Sequence, residues 1–387
     1  MSIQAQPSIL DRYSHLQTVL CCPRTKGPLR LVAIEDLLPL LSDAERQRIP
    51  EDTIGAFISD TINRAYPITS TAANFIEQDS LEIHDVSARA GSCVVPALQI
   101  DDVKRSVKDW YDRWGWKKND LGLYKDTALF SQNKPVGYGL YEMMSHLSIL
   151  DRLPGDGFVL DAASGAIAHP EYLAFSWFYQ NRVCVDMSIT ALREAKEKVR
   201  PTDFCCLADI CNLPFRNETF DGVVSGYTIQ HIPEPQQKVA IRELYRILRP
   251  NTHLCIFTSV ESANSRKHKC LVFVLWAIQK LLRALRLSPS PCSLADSVKP
   301  ENPPHSLYYH GRHPAWWKDV AMQLTDNSSV ETLRLLQKSE FEALYGRSNR
   351  AAKALRLIES LFPKASLGMS YCCVIDICKS VRINSPD

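Results

Sequence analysis

Short apolar runs alternate with helix-like segments between residues 151 and 260, and this alternation constrains the fold more than any other feature of the chain. The runs that qualify as strands begin at Phe158, Arg182, Asp203, Gly222 and His253. Strands that alternate with helices are typical of βαβ units, which pair into a parallel sheet. We therefore predict an α/β fold whose ligands bind at the carboxyl ends of the strands.

The length of 387 residues predicts two or three domains. Residues 1–80 form a small accessory unit, and residues 81–150 form a connecting helical or lid segment that includes an aromatic, charged helix. Residues 151–387 form the main domain, with an insertion at about 261–328 that includes a Pro- and Ser-rich connection. The insertion follows the fifth strand, where it can supply part of a pocket.

The charge balance and the cysteine content indicate the type of partner and the cellular compartment to expect. The 45 basic and 43 acidic side chains give a net charge of +2, which argues against a general polyanion binder. The 13 cysteines, several of them in apolar runs, indicate buried thiols in a reducing compartment. The N-terminus lacks a secretion pattern, and the apolar run from Cys270 to Ile278 is too short to span a bilayer. We expect a cytoplasmic location.

Acidic residues follow three of the predicted strands. Asp161 ends the first strand and precedes a loop of small residues, which lets a backbone approach a ligand closely. Asp186 ends the second strand, about 25 residues later, where dinucleotide-binding units place an acidic residue that receives the ribose hydroxyls. Asp209 ends the third strand. Their order and spacing predict a nucleotide-type cofactor site.

The block ADICNLPFRNETFDGVVSGYTIQHIPEPQQKVAIRELYRILRP, residues 208–250, resembles the S-adenosylmethionine-dependent methyltransferases of the ubiquinone/menaquinone and small-molecule type. The resemblance implies a Rossmann-like, seven-stranded class I sheet, S-adenosylmethionine as the cofactor, and methyl transfer to an O, N or C atom of a small-molecule acceptor. It implies that Asp186 binds the ribose diol and that Asp209, with the backbone of Ile210, binds the adenine. It also places the 161–166 loop against the methionine part of the cofactor. The full predicted cofactor site consists of Asp161, Ala163, Ser164, Gly165, Asp186, Met187, Asp209, Ile210 and Tyr227.

The first loop departs from the pattern of the family it resembles. That pattern carries three glycines, whereas here Ala163 and Ile167 stand at the first and third of them and Gly165 at the second. Alanine is nearly as small as glycine but resists positive φ. The departure leaves open a catalytically inactive binding protein with a methyltransferase fold. A nicotinamide dehydrogenase would require a cleaner G-x-G-x-x-G loop.

The N-terminal unit, with LCCPRTKGPLRL near its start, resembles the small zinc-ribbon-like methyltransferase-activator family. Those proteins carry Cys-Pro-x-Cys, whereas Cys22, Pro23 and Arg24 are followed here by Thr25. Tetrahedral zinc usually needs four protein ligands. We therefore predict a small α+β unit without a metal.

His231 is the predicted catalytic residue, because it follows the fourth strand and a neutral imidazole suits a general base. A capping role for this side chain remains open. The aromatic segment SLYYHGRHPAWW and the first loop provide candidate acceptor contacts. The predicted substrate-binding residues are His169, Tyr308, Tyr309, His310 and His313. A structural role for His169, or an aromatic core cluster in the segment, is an equally open interpretation.

Two further alternatives concern partners. The helix over residues 266–287 has basic ends and a broad apolar surface, which allows a peripheral membrane contact as well as a lid. The resemblance of the N-terminal unit extends to a zinc module of ribosomal RNA methyltransferases, which keeps an RNA acceptor open. The neutral overall charge and the missing cysteine count against nucleic acid, so a small molecule is the predicted partner.

Overall fold

The structure is a computed structural model. It describes residues 12–84, 101–131, 136–153, 155–259, 303–324, 330–335 and 372–380. The predicted helix at 266–287 and most of the predicted insertion lie outside these ranges. In the described ranges, no helix is long and apolar enough to cross a membrane.

The N-terminal unit is a small, mainly antiparallel assembly. Its elements are β1 (Arg30–Ala33), α1 (Ile34–Leu37), α2 (Asp43–Arg46), β2 (Thr53–Ser59), β3 (Arg64–Thr69), β4 (Ala73–Asn74) and β5 (Leu81–Glu82). The β2 and β3 strands pair antiparallel and present buried side chains along most of their length. This agrees with the α+β character predicted for the unit.

The central strands alternate with helices, as the sequence predicts. The strands are β6 (Phe158–Ala162), β7 (Asn181–Asp186), β8 (Phe204–Leu207), β9 (Gly222–Gly226), β10 (His253–Ser259), β11 (Val330–Leu335) and β12 (Cys372–Cys378). They lie side by side in the order β8-β7-β6-β9-β10-β12-β11. The first five strands of this order run parallel to one another, and β12 is antiparallel to both of its neighbours. The predicted α/β fold class is therefore confirmed, although the sheet contains more strands than the predicted seven.

The remaining helices flank this sheet or cover its edge. They are α3 (Asp102–Trp110), α4 (Lys125–Ser131), α5 (Val136–Leu147), α6 (Ile189–Lys196), α7 (Glu234–Ile247) and α8 (Pro314–Leu324). The α6 helix begins where the Ser188 hydroxyl accepts the Ala191 N–H, an N-cap that satisfies an otherwise unpaired donor. In α7, Ala240, Leu244 and Ile247 are fully buried at helical spacing, so one face packs against the sheet.

The N-terminal unit continues the central sheet. The short β4 strand pairs in parallel with β8, so one sheet runs from β1 to β11. Lys26 also reaches across to Glu243 of α7, at 3.3 Å. One hydrophobic core joins the two parts, and it includes Phe57 and Tyr66 as well as Val183 and Ile256.

Candidate active site

The carboxyl ends of the parallel strands open onto a cavity of about 190 Å³. The loops after β6, β7, β8 and β9 form its floor. Its opposite wall comes from α3, the π-helical turn Tyr111–Gly115 and the start of α4. A cavity at this edge of a parallel sheet is the usual ligand site of such folds.

Most of the predicted site residues meet in this cavity. Among its lining residues are Asp161, Ala163, Ser164, Gly165, His169, Asp186, Met187, Asp209, Ile210, Tyr227 and His231. The structure therefore brings together every predicted cofactor residue and the predicted base. Among the residues that the structure describes, Tyr308, Tyr309, His310 and His313 do not line the cavity.

The loop after β6 keeps a glycine-type backbone although it lacks two glycines. The φ angles are 56° at Ala163, 55° at Gly165 and 48° at Ile167. For a residue with a Cβ this conformation costs roughly 1–2 kcal/mol. At Gly165 a Cβ would come within 2.6 Å of the Trp116 indole, so no side chain fits there. The loop therefore adopts the left-handed conformation at all three positions, including the two that carry a side chain.

Asp186 joins this loop to the end of β7. Its Oδ2 accepts the Gly165 N–H at 2.9 Å, and its Oδ1 accepts the Ser188 N–H at 2.8 Å. Burial raises the pKa of Asp186 to about 6, although the two backbone hydrogen bonds act in the opposite direction. A carboxylate has about four acceptor positions, so both oxygens retain capacity for a ligand hydroxyl.

The other two acidic residues of the predicted cofactor site are paired with basic side chains. Asp161 forms a buried ion pair with Arg182. The Asp209 Oδ2 lies 2.6 Å from the Lys104 Nζ, and its Oδ1 accepts the Cys211 N–H at 2.9 Å. Burial alone would lower the pKa of Lys104, but Asp209 outweighs it and the pKa is raised. Sequence reasoning did not identify Arg182 or Lys104.

His231 ends the 3₁₀ turn Ile229–His231, which follows β9. Its Nδ1 lies 2.8 Å from the carbonyl oxygen of Tyr308. Because a carbonyl only accepts hydrogen bonds, Nδ1 carries the proton and Nε2 keeps its lone pair. Burial lowers the pKa of His231, so the ring is neutral at pH 7. The side chain thus has the protonation state of a general base.

The segment at 303–313 supports the cavity from outside. Besides the Tyr308 carbonyl, its His310 N–H donates to the Gln230 carbonyl at 2.7 Å. The His313 Nδ1 accepts the Ala315 N–H at the start of α8, and the Tyr309 side chain is 52% exposed. These contacts fix the turn that carries His231. An acceptor-binding role of the four side chains stays a prediction.

A second histidine was missed by the sequence reasoning. His146 of α5 is fully buried, with its Nδ1 2.9 Å from Glu171 and its Nε2 3.3 Å from the Tyr227 hydroxyl. Burial alone would raise the pKa of Glu171, but the hydrogen bond with His146, a backbone hydrogen bond and the neighbouring His169 together outweigh it, and the pKa is lowered. Tyr227 lies in the cavity and has a φ of 52°. The hydrogen bond to His146 holds this strained residue in place.

The wall opposite the sheet was also missed, although a signal for it exists. Lys104, Val107, Lys108 and Tyr111 all line the cavity, and they repeat at the spacing of one helix face. The two lysines interrupt the apolar pattern, so hydrophobic periodicity alone does not reveal this face. Tyr111 stacks on Trp116, with ring centroids 5.0 Å apart.

The cysteine pair of the N-terminal unit is buried. The Cys22 Sγ lies 3.5 Å from the Tyr66 hydroxyl, and the Thr25 hydroxyl accepts the Gly27 N–H at 3.2 Å. Within the described ranges, the one cluster of three potential metal ligands is His146, His169 and Glu171, whose ligand atoms lie within 4.8 Å of one another. The zinc-ribbon likeness of the N-terminal unit stays a resemblance.

Comparison with known proteins assigns the central part of the chain. Residues 160–256 match the family model described as "Methyltransferase domain". The demethylmenaquinone methyltransferase of Corynebacterium urealyticum is 36% identical over 107 residues, which are 28% of this chain and 43% of that protein. The Bos taurus protein named "Probable tRNA methyltransferase 9B" is 37% identical over 86 residues, which are 22% of this chain and 18% of that protein. The chain thus spans less than half the length of either relative.

The family match and the sheet order support a class I S-adenosylmethionine-dependent methyltransferase domain over residues 160–256. The predicted fold and the methyltransferase character are confirmed for this part of the chain, and the small-molecule type stays a prediction. The two relatives differ in the acceptor that their names state. Among solved structures, phosphoethanolamine N-methyltransferase 2 of Haemonchus contortus shares 18% identity and a TM-score of 0.41, over 71% of this chain and 60% of that chain.

Proposed function

We propose that this protein transfers the methyl group of S-adenosylmethionine to an O, N or C atom of a small-molecule acceptor. The observation that carries the proposal is the meeting, in one cavity, of the glycine-type loop, the Asp186 carboxylate and the neutral His231. The first two suit the cofactor, and the third suits an acceptor that loses a proton.

The cavity suits this cofactor on three counts. The loop from Ala163 to Gly165 exposes backbone and small side chains, which leaves room for the methionine part. Asp186 is held at the end of β7 with acceptor capacity for the ribose hydroxyls. Ile210 follows β8 and lines the cavity beside Asp209, where the adenine belongs. When bound, the cofactor supplies a methyl carbon attached to a positively charged sulfur.

His231 then does the proton chemistry. With the cofactor bound, its methyl carbon would be the group transferred, and the Nε2 of His231 would take the proton that the acceptor loses. The Tyr308 carbonyl holds the ring in the tautomer that this step needs. The protein otherwise contributes by orienting the acceptor.

Calorimetric titration with S-adenosylmethionine tests the cofactor site. Asp186→Ala removes two charge-assisted hydrogen bonds worth roughly 1.5–3 kcal/mol each, so affinity should fall at least about tenfold. Asp186→Asn keeps one acceptor oxygen, so its affinity for the cofactor should fall less than that of Asp186→Ala. Asp120→Ala, at an exposed position, is the matched control. Unchanged affinity in Asp186→Ala would remove this residue from the site.

Methyl-labelled cofactor tests the acceptor class. The wild-type protein is incubated with the low-molecular-mass fraction and, separately, with the RNA fraction of a cell extract. We expect label in the low-molecular-mass fraction only, and none with Asp186→Ala. Label in RNA would replace the small-molecule proposal. The absence of label together with tight cofactor binding would favour the inactive binding protein.

A further inference from the structure

Asp126 differs from the other acidic residues of the cavity. Asp161 and Asp209 each contact a basic side chain, and Asp186 accepts two backbone N–H groups. The Asp126 Oδ1 is buried and has no hydrogen-bond partner among the residues that the structure describes. Buried polar groups are nearly always paired, so an unpaired one requires an explanation.

The electrostatic cost of this position is large. Burial raises the pKa of Asp126 to about 7, and no neighbouring charge offsets it in the described part of the chain. The two cavity lysines do not serve it, because Lys104 is bound by Asp209 and Lys108 by Asp112. A cation brought by a ligand would restore the ionised carboxylate and satisfy its free oxygen.

The surroundings of Asp126 are aromatic. Tyr111 and Trp116 line the same cavity and stack at 5.0 Å, and Tyr124 packs edge-on against Trp116 at 5.9 Å. Aromatic faces attract ammonium groups, and a carboxylate beside them supplies the countercharge. The combination is chemically selective for an amine in its protonated form.

We propose that Asp126, together with the Tyr111–Trp116 pair, binds an ammonium group of a ligand. The inference rests on the proposed function, because it assigns a subsite of the same cavity. One source is the α-ammonium group at the amino-acid end of the cofactor. The position of Trp116 directly over Gly165 of the first loop favours this source. The other source is an amine on the acceptor.

Two cofactor-derived probes test the first source. S-adenosylhomocysteine carries the α-ammonium group, whereas 5′-methylthioadenosine lacks the amino-acid end. In Asp126→Asn, we expect affinity for S-adenosylhomocysteine to fall at least tenfold while affinity for 5′-methylthioadenosine stays within twofold of wild type. Asp126→Glu should recover part of the loss, and Asp120→Asn should lose none. Circular dichroism verifies that each variant is folded.

The second source is tested on protein saturated with S-adenosylhomocysteine. Butylamine and butanol have similar sizes, and only butylamine is charged. If the acceptor supplies the ammonium group, butylamine should bind to the wild-type protein and not to Asp126→Asn. The affinity for butanol should be the same for both proteins. Equal affinities of wild type and Asp126→Asn for all four probes would overturn the inference. A wild-type protein that binds neither cofactor-derived probe would instead contradict the proposed function.

Discussion

Two histidines flank the cavity, one from the turn after β9 and one from α5, and they differ in what their rings still offer. His231 uses Nδ1 on a backbone carbonyl and keeps the Nε2 lone pair. His146 uses both nitrogens, one on Glu171 and one on Tyr227. The difference teaches that two histidines beside one cavity can differ in the hydrogen-bonding capacity that they still offer. On the proposed function, this capacity is what separates a reactive histidine from a structural one.

The same distinction separates the carboxylates. Asp161 is satisfied by Arg182, whereas Asp126 has a buried oxygen without a partner in the described ranges. On this view the cavity contains two kinds of polar group. Those already satisfied by the protein hold its shape, and those with free capacity are kept for ligands. Substitutions at the two kinds of position should therefore affect different measurements.

The largest effect is expected at His231. If Nε2 is the general base, His231→Gln should reduce turnover by about 10²–10⁴ with cofactor affinity near normal. The loss should shrink at high pH, where a pre-ionised acceptor no longer needs the base. His84→Gln, at an exposed position just after β5, is the control and should keep wild-type turnover. Normal turnover with a lower melting temperature would assign His231 a capping role.

At His146 we expect an effect on stability. His146→Gln cannot satisfy both Glu171 and Tyr227, and a buried group left unpaired costs about 1–3 kcal/mol. Chemical denaturation measures this loss, and turnover per folded molecule should change little. A stable His146→Gln variant with strongly reduced turnover would contradict the difference drawn between His146 and His231. It would indicate that Glu171, His146 and Tyr227 relay the proton of the acceptor.

Asp126 should show a pH-dependent gain in stability when neutralised. Its pKa of about 7 in the folded protein exceeds the ordinary value of about 3.9, so the folded state loses stability as pH rises between these values. Asp126→Asn should therefore be more stable than wild type by about 1–3 kcal/mol at pH 8 and similar to it below pH 4.

Thermal denaturation of the two proteins at several pH values checks this prediction. The neighbouring turn contributes Tyr111 and Asp112, and α4 itself contributes Lys125, so the difference between variant and wild type is the relevant quantity. A difference in stability that does not vary with pH would show that the pKa of Asp126 is the same in the folded and the unfolded protein.

The smallest expected signal is metal content. We expect less than half a zinc ion per chain, because Thr25 cannot replace a thiolate and because His146 Nδ1 is used by Glu171. Elemental analysis of the purified protein measures it. If stoichiometric zinc is found, His146→Gln and Cys22→Ser distinguish the histidine cluster from the N-terminal unit as its location.

The sequence predicted the floor of the cavity because that floor is built from short-range patterns. Each of β6, β7 and β8 is an apolar run that ends at residues lining the cavity, so Asp186 and Asp209 could be placed by counting along the chain. The positive φ at Ala163 and Ile167 could not be predicted. It depends on the tight packing around the loop, which overrides the preference of each residue.

The opposite wall could not be predicted because it depends on long-range contacts. Lys104 meets Asp209 across 105 positions of sequence, and His146 meets Tyr227 across 81. Such long-range pairs produce no periodic pattern in the amino-acid sequence. The backbone role of Tyr308 was equally hidden, because an aromatic segment suggests side-chain contacts rather than a carbonyl acceptor.

The pairing of β4 with β8 has a consequence for the edge of the sheet. Without the first 84 residues, β8 would present an unpaired edge with the sequence Phe-Cys-Cys-Leu, in which all four residues are buried in the intact protein. Exposed apolar edge strands add strands from other molecules and promote aggregation. The N-terminal unit therefore protects this edge of the central sheet from other molecules. Shortening the chain from this end should yield insoluble protein rather than a smaller folded domain.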